Sequence, residues 1–185
     1  MAQRPAGLII RRGGPADADA IAGLHADSWR RHYRGAYADA YLDGDVVSER
    51  LALWTARLAV DDGSTCTLLA EDDGAFVGFV HVVFDEDPCW GSLVDNLHVV
   101  WALKRHGVGT RLMSAAGASV LGHGRGGLYL WVLEQNMAAQ AFYAARGGRC
   151  ADSRLVPPPG GRAERLNGSP LGLRYVWSDP ATLVV

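Results

Sequence analysis

The feature that most limits how this chain can fold is a buried-strand pattern running straight into a glycine-spaced loop. Val94-Asp95-Asn96-Leu97-His98-Val99-Val100 is a short, mostly apolar run with β-branched residues at its end, the mark of a strand inside a sheet. Shortly after it, Lys104-Arg105-His106-Gly107-Val108-Gly109-Thr110-Arg111-Leu112-Met113 reads as a tight loop opening a helix. The two glycines leave backbone N–H groups uncovered where the first turn of a helix has unpaired donors. The partial positive charge of that helix end attracts an anion, a phosphate foremost. Lys104, Arg105 and His106 make the approach cationic as well. This is the outline of a pyrophosphate cradle, with a plain tight strand-to-helix turn as the alternative.

Elimination narrows the type of cradle. A dinucleotide fingerprint needs a third glycine three residues after Gly109, where this chain has Leu112. A Walker-type loop needs Gly-Lys followed by Ser or Thr, which the loop lacks. A second segment lies downstream, Asn136-Met137-Ala138-Ala139-Gln140-Ala141-Phe142-Tyr143-Ala144-Ala145-Arg146-Gly147. Together the two segments resemble the signature blocks of the GNAT superfamily of acyl-CoA-dependent N-acetyltransferases. The first of those runs (Arg/Gln)-x-x-Gly-x-(Gly/Ala), and the second roughly Asn-x-x-Ala-x-x-Phe-Tyr-x-x-x-Gly-Phe. Lys104 stands where Arg or Gln is usual, and Gly148 where Phe is usual; neither departure removes a backbone donor.

The rest of the chain supplies the matching elements. A strand is expected over residues 7–11, and Gly14-Pro15 followed by Asp17 starts a helix that puts Ile21, Leu24 and Ser28 on one face. Asp43-Gly44-Asp45 opens a second helix with Val47, Leu51, Trp54 and Leu58 at helical spacing. Strands at 65–71 and 75–84 flank the turn Asp72-Asp73-Gly74, and Asp85-Glu86-Asp87-Pro88 reads as an acidic turn into the central strand. His81 reads as structural or superficial, since no partner stands at metal spacing. After the cradle, Leu112, Met113, Ala116 and Val120 mark a helix face, which the cluster Gly122-His123-Gly124-Arg125-Gly126-Gly127 ends. A buried strand at 128–133, a helix from Asn136 with an apolar stripe at Ala138, Ala141, Phe142 and Ala145, and a last strand at 173–177 complete the order. A long polar loop covers 157–170, between two terminal strands. The pattern alone says α/β. The resemblance covers nearly the whole chain and implies one domain over residues 1–185. Its fold would be a mixed, mostly antiparallel sheet flanked by helices, with a splayed central strand pair.

The resemblance also implies roles. The strand carrying Leu97, His98 and Val99 would part from its neighbour so that the pantetheine arm of acetyl-CoA pairs with the freed edge. Pairing of that kind satisfies groups that otherwise need water. Lys104, Arg105, His106, Gly107, Val108, Gly109 and Thr110 would hold the pyrophosphate, and Asn136 would sit beside the arm. The Val99 N–H would donate to the thioester oxygen, and Tyr143 would protonate the leaving thiolate. The general base is less defined. Some family members carry a glutamate at the position aligned with Leu93. Alternation along a strand puts Asp95 on that face, acting directly or through water, or else simply bonded to backbone or an arginine. His98 has a suitable intrinsic pKa but faces the other way unless the strand bulges. Ser28-Trp29-Arg30-Arg31-His32-Tyr33-Arg34-Gly35 is similar to a Trp-Arg-x-x-Tyr-x-Gly run on the acceptor side, which makes Trp29 and Tyr33 substrate-binding candidates; a core aromatic face is the alternative.

The expected activity is transfer of an acetyl group from acetyl-CoA to a primary amine of a small molecule or protein. The alternative is a non-catalytic acyl-CoA-binding regulatory or sensor module. The net charge of −2 gives no electrostatic case for nucleic acid. No apolar run approaches a membrane span, and Met1-Ala2-Gln3-Arg4-Pro5 lacks a signal-peptide core, which points to the cytoplasm. Cys66, Cys89 and Cys150 form no metal or redox pattern, so no metal is expected. Lys104 is the only lysine, a coding bias without functional weight. A homodimer is expected only by resemblance, such acetyltransferases often being dimers.

Overall fold

The computed structural model describes residues 7–124 and 126–185. The opening Met1-Ala2-Gln3-Arg4-Pro5 and Arg125 of the glycine cluster therefore lie outside the described residues. The chain runs β1 (Ile9–Arg12), α1 (Ala18–His32), α2 (Asp39–Leu42), α3 (Val46–Leu58), β2 (Thr65–Asp72), β3 (Ala75–Asp87) and β4 (Gly91–Val99). It continues through α4 (Val108–Gly122), β5 (Leu128–Leu133), α5 (Met137–Ala145), β6 (Arg149–Leu155) and β7 (Leu171–Trp177). The strands form one sheet in the order β1-β2-β3-β4-β5-β7-β6. Each neighbouring pair is antiparallel except β4 and β5. The mixed, mostly antiparallel sheet expected from the sequence is thus observed.

Alternation in the strands sorts the two faces. Val80, Val82, Val94, Leu128 and Leu130 pack under α4, whose Leu112, Met113, Ala116 and Val120 are fully buried as the spacing predicts. On the other face Leu69 and Phe79 meet Ile21 of α1 and Trp54 of α3. The β2–β3 hairpin turns on Asp73 (φ 48°) and Gly74 (φ 79°), the doubly left-handed geometry that suits right-twisted strands.

Four local expectations change. β3 continues through Asp87, so the turn into β4 falls at Pro88-Cys89-Trp90 and not at Asp85. In α3 the buried valine is Val46, while Val47 is 40% exposed, because Val46 and Trp54 are the residues aimed at α1 and the loop before it. In α5 the inward side is Ala139, Phe142 and Tyr143, and Ala138, Ala141 and Ala145 face solvent. Tyr143 docks against Tyr175 and Trp177 of β7, and that contact sets the helix rotation. The single turn α2 was not anticipated; four residues are too few to show a helical period.

β4 and β5 decide the shape of the centre. Ser92, Leu93 and Val94 pair with Leu128, Tyr129 and Leu130, and no pairing follows beyond them although both strands continue. At the closed end Gly91 (φ 83°) lies against the Gly126–Gly127 backbone, and Ser92 donates its N–H to the Gly127 carbonyl (3.1 Å). A Cβ at Gly91 would stand 2.4 Å from that carbonyl oxygen.

Gly91→Ala is expected to lower the unfolding free energy by about 2–4 kcal/mol, combining left-handed strain with a backbone clash. Gly63→Ala, also left-handed (φ 78°) but in open space, should lose clearly less. Urea denaturation of both variants checks this, and equal losses would remove the closed end of the strand pair as the cause.

Candidate functional site

The gap between β4 and β5 is lined by backbone. Val100 donates its N–H to the Val77 carbonyl at 2.9 Å. Alternate residues of an antiparallel ladder turn to opposite edges, so the N–H and C=O of Val99, and of Leu97 two residues earlier, point away from β3 into the gap. On the facing side Glu134 donates its N–H to the Leu171 carbonyl (2.9 Å), which turns Leu133 and Trp131 toward the same gap. The Leu133 carbonyl is taken by the Asn136 N–H (2.9 Å). What remains is a short slot of strand-edge donors and acceptors.

At the open end of the slot α4 begins. Gly107 is left-handed (φ 88°) and occupies the N-cap position; the first bond back to the loop is the Arg111 N–H to the Gly107 carbonyl (3.0 Å). The N–H groups of Val108, Gly109 and Thr110 belong to the turn that has no intrahelical acceptor. Gly109 sits over Phe142, whose ring would be 3.4 Å from a Cβ there. Val108 is buried and anchors the turn. The three cations of the approach separate. Arg105 is exposed, with a left-handed backbone (φ 68°). His106 Nδ1 is 2.9 Å from the Lys104 carbonyl. Lys104 turns away from the loop: its Nζ is 2.6 Å from His32 Nε2 of α1 and 4.5 Å from the centroid of Trp101. Burial, then Arg31, lowers its pKa.

Asn136 caps α5, its Oδ1 accepting the Ala139 N–H at 3.2 Å. Two turns into the helix region, Tyr143 is 8% exposed, with its ring 5.3 Å from Phe142 and 6.0 Å from Tyr175. Its hydroxyl has no hydrogen-bond partner among the described residues. Burial alone holds the phenol above its usual range, so it stays protonated at neutral pH. Tyr33 is raised by burial as well, and charges on Tyr143 and Asp95 act in the same direction. Tyr33 therefore stands within electrostatic reach of both Tyr143 and Asp95.

β4 carries a bulge. Asn96 opposes His81 and Val94 opposes Val82, so Asp95 has no partner on β3. Past the bulge the alternation is out of phase: Val94, Leu97 and Val99 share the α4 face, while Asp95 meets Arg57 of α3 and His98 stacks on His25 of α1. The regular alternation expected from the sequence set Asp95 and His98 on opposite faces; the extra residue brings them to one. Asp95 Oδ2 accepts from Arg57 Nη1 and from Asn96 Nδ2, both at 2.7 Å. Asp95 is thus paired with an arginine.

Trp29 stacks on Tyr33 (5.4 Å) and meets Tyr37 edge-on (5.2 Å), with Tyr41 next in the row. Gln135 ties the β5–α5 turn to the end of α1, donating from Nε2 to the Arg34 carbonyl (2.8 Å) and the His32 carbonyl (3.3 Å). A pocket of about 210 Å³ opens beside it, lined by Gly35, Leu133, Glu134, Asn167, Pro170 and Leu171. Tyr37, Tyr41, Arg50, Arg57 and Gln135 were not singled out in the sequence. The Tyr33-Tyr37-Tyr41 spacing of four was a visible signal; the two arginines carried none.

Three histidines are held neutral beneath this cleft. His98 is pushed down to about 3 by burial, with His32 and Lys104 adding to it. His81 is pushed down to about 4 by burial and then Arg57, with Asp95 opposing, and lies 2.8 Å from Thr67 Oγ1. His25 is well below its usual value, chiefly through burial, and accepts the Trp54 Nε1–H at 3.0 Å. Among the described residues no group of three or more His, Cys, Asp or Glu is placed to hold a metal, and no helix is long and apolar enough to cross a membrane.

Comparison with known proteins gives a consistent outcome. Residues 22–147 match the acetyltransferase (GNAT) family. A probable N-acetyltransferase of Mycobacterium tuberculosis is 29% identical over 145 residues, covering 76% of this chain and 79% of that protein. An uncharacterized N-acetyltransferase of Bacillus subtilis is 25% identical over 151 residues, covering 80% and 84%. The fold resembles the PaiA N-acetyltransferase of Thermoplasma acidophilum in complex with coenzyme A: TM-score 0.72, 17% identity, 92% of this chain and 99% of that one. A putative acetyltransferase of Salmonella typhimurium, solved with its cofactor acetyl-CoA, superposes with a TM-score of 0.65 at 18% identity, with 94% of each chain covered.

The buried histidines set a pH dependence. Their folded pKa values lie below the unfolded value of about 6.5, so the unfolded chain binds more protons as pH falls through 6.5, and stability drops until the folded values are reached. Unfolding free energy should therefore be lower at pH 5.5 than at pH 7.5, with proton uptake on unfolding. A flat profile over this interval would mean that these side chains ionise in place.

Proposed function

The chain belongs to the acetyltransferase (GNAT) family, and from that premise we propose that it moves an acetyl group from acetyl-CoA to a primary amine by direct attack. The observation that carries this reading is the slot itself. Two strands part beside a helix start with free N–H groups, and an unpaired phenol stands at the same place. A pantetheine arm carries amide groups that can pair with the edges of Leu97 and Val99, while the pyrophosphate meets the N–H groups from Gly107 to Thr110.

Roles follow from position. The Val99 N–H, aimed into the slot, stabilises the developing oxyanion. Tyr143, protonated and without a competing acceptor, gives its proton to the departing thiolate. The attacking amine must lose a proton, and Asp95, bonded to Arg57, draws in the ammonium group and receives the proton through water. His98 now shares that face and is neutral, but its low proton affinity makes it the weaker acceptor. Trp29 and Tyr33 wall the acceptor side. The three cysteines are free, with Cys89 and Cys150 exposed, which supports a reducing, cytoplasmic setting.

Arg105, exposed and free of other partners, is the cation available to the ribose 3′-phosphate, whereas Lys104 is engaged by His32. Arg105→Ala should weaken CoA roughly ten- to a hundred-fold while leaving dephospho-CoA unchanged, and Lys104→Ala should not discriminate between them. Calorimetric titration with both ligands checks this; no discrimination by Arg105→Ala moves the contact elsewhere.

Tyr143→Phe tests the mechanism, because it keeps the ring and removes only the proton donor. Once a panel of amines has identified an acceptor by release of CoA thiol, kcat should fall by a factor on the order of 10²–10⁴. Acetyl-CoA affinity and melting temperature should stay near wild type, since the hydroxyl has no partner to lose. Wild-type turnover in the variant would reject Tyr143 as the acid. Acetyl-CoA binding without thiol release for any amine would favour the non-catalytic module.

A further inference from the structure

One guanidinium beside the acceptor wall lacks what its neighbours have. Arg50 lies on α3 one turn before Trp54 and two turns before Arg57, on the helix face turned toward α1. Its guanidinium carbon is 4.3 Å from the centroid of Trp29, and its side chain is only 14% exposed. Its Nε is fully enclosed with no hydrogen-bond partner, and none of its nitrogens donates a hydrogen bond among the described residues. The nearest carboxylate oxygen, Glu49 Oε2, is 4.0 Å away. Glu49 is already committed: it accepts from Arg165 at 2.5 and 3.0 Å and from the Tyr41 hydroxyl at 3.1 Å. Arg57 has Asp95 and Arg165 has Glu49, so Arg50 is the surplus cation of the group.

A largely desolvated guanidinium without an acceptor costs free energy that a cation–π contact with Trp29 offsets only in part. Burial lowers its pKa, in line with that cost. The position is informative as well. Trp29, on which Arg50 rests, stacks directly on Tyr33, and Tyr33 is in electrostatic reach of Tyr143 and Asp95. Arg50 thus stands about two aromatic layers from the proposed site of transfer, on the same wall. Asp95 is placed for the ammonium end of an acceptor, and Arg50 for an anion at the other end.

We propose that the acceptor is a small amine bearing a carboxylate, and that Arg50 is the residue that selects it by binding that carboxylate against the Trp29–Tyr33 wall. A guanidinium meets a carboxylate through parallel N–H···O bonds, a geometry that an amide or a bare alkyl chain does not reproduce. The proposal rests on the acetyl-transfer reading and deepens it.

The test uses α-amino acids, β-alanine and 4-aminobutyrate, each beside its carboxamide, with kcat/KM read from CoA thiol release. The best carboxylate should exceed its carboxamide by roughly ten- to a hundred-fold in the wild type. Arg50→Gln should bring the ratio near one, chiefly through KM, with acetyl-CoA affinity unchanged; Arg50→Lys should retain part of the preference. In parallel, calorimetry on the CoA-saturated wild-type protein should detect the carboxylate and not the carboxamide, a readout independent of turnover and of how the variants fold. Transfer or binding indifferent to the carboxylate, or a preference that survives Arg50→Gln, overturns the proposal while leaving acetyl transfer standing. Absence of acetyl-CoA binding overturns the functional reading instead.

Discussion

Everything distinctive about this molecule follows from two strands that begin as a pair and then separate. Backbone N–H and C=O groups inside a protein demand partners, and a sheet normally supplies them from one end of a strand to the other. Here the Gly91–Gly127 contact holds β4 and β5 together for three residue pairs, after which each keeps only its outer neighbour. The divergence is built in: two glycines in the left-handed region, Gly91 and Gly127, give the close approach, and β4 bulges at Asp95 just past the last pair. Helix α4 starts beside Val99 at the unpaired end of β4, and α5 follows from the other strand and carries Tyr143.

The electrostatics are organised around that opening. The face toward α1 and α3 carries paired and unpaired charges together with neutral rings. Asp95 is bonded to Arg57, the nearby histidines stay neutral chiefly because they are buried and secondarily because cations lie near them, and the phenols stay protonated because burial disfavours their anions. Under the proposed mechanism, such a site offers Asp95 to an incoming ammonium and Tyr143 as the proton donor to a leaving thiolate.

Much of this was legible from the residues. The Gly107–Gly109 spacing after a strand pattern located the helix start, and Asn136 with Phe142 and Tyr143 located the second block; both lie at the slot. The mixed, mostly antiparallel sheet followed from the resemblance and not from periodicity. The hidden part has definite causes. A bulge leaves no mark in a sequence read with a period of two, so Asp95 and His98 were assigned to opposite faces. The inward side of α5 was misjudged because alanines pattern equally well inside and outside. Lys104 read as part of a cationic approach, but its direction was set by His32, 72 positions earlier in the chain. Arg50 and Arg57 drew no reading at all, since nothing local announces that Trp29 and Asp95 come to meet them.

Lys104 leads to one last point. It is the only ε-amine in the chain, and it sits half-buried between His32 and Trp101. Acyl thioesters acylate exposed lysines without help from any catalyst, and a protein built with arginine in nearly every basic position gives them almost nothing to attack. The same scarcity makes the molecule its own probe. Apart from the chain terminus, an amine-directed mass tag can report on one place alone, and that place lies where the loop before α4 touches α1. Protection of that single amine would register how firmly the loop before α4 is held against α1.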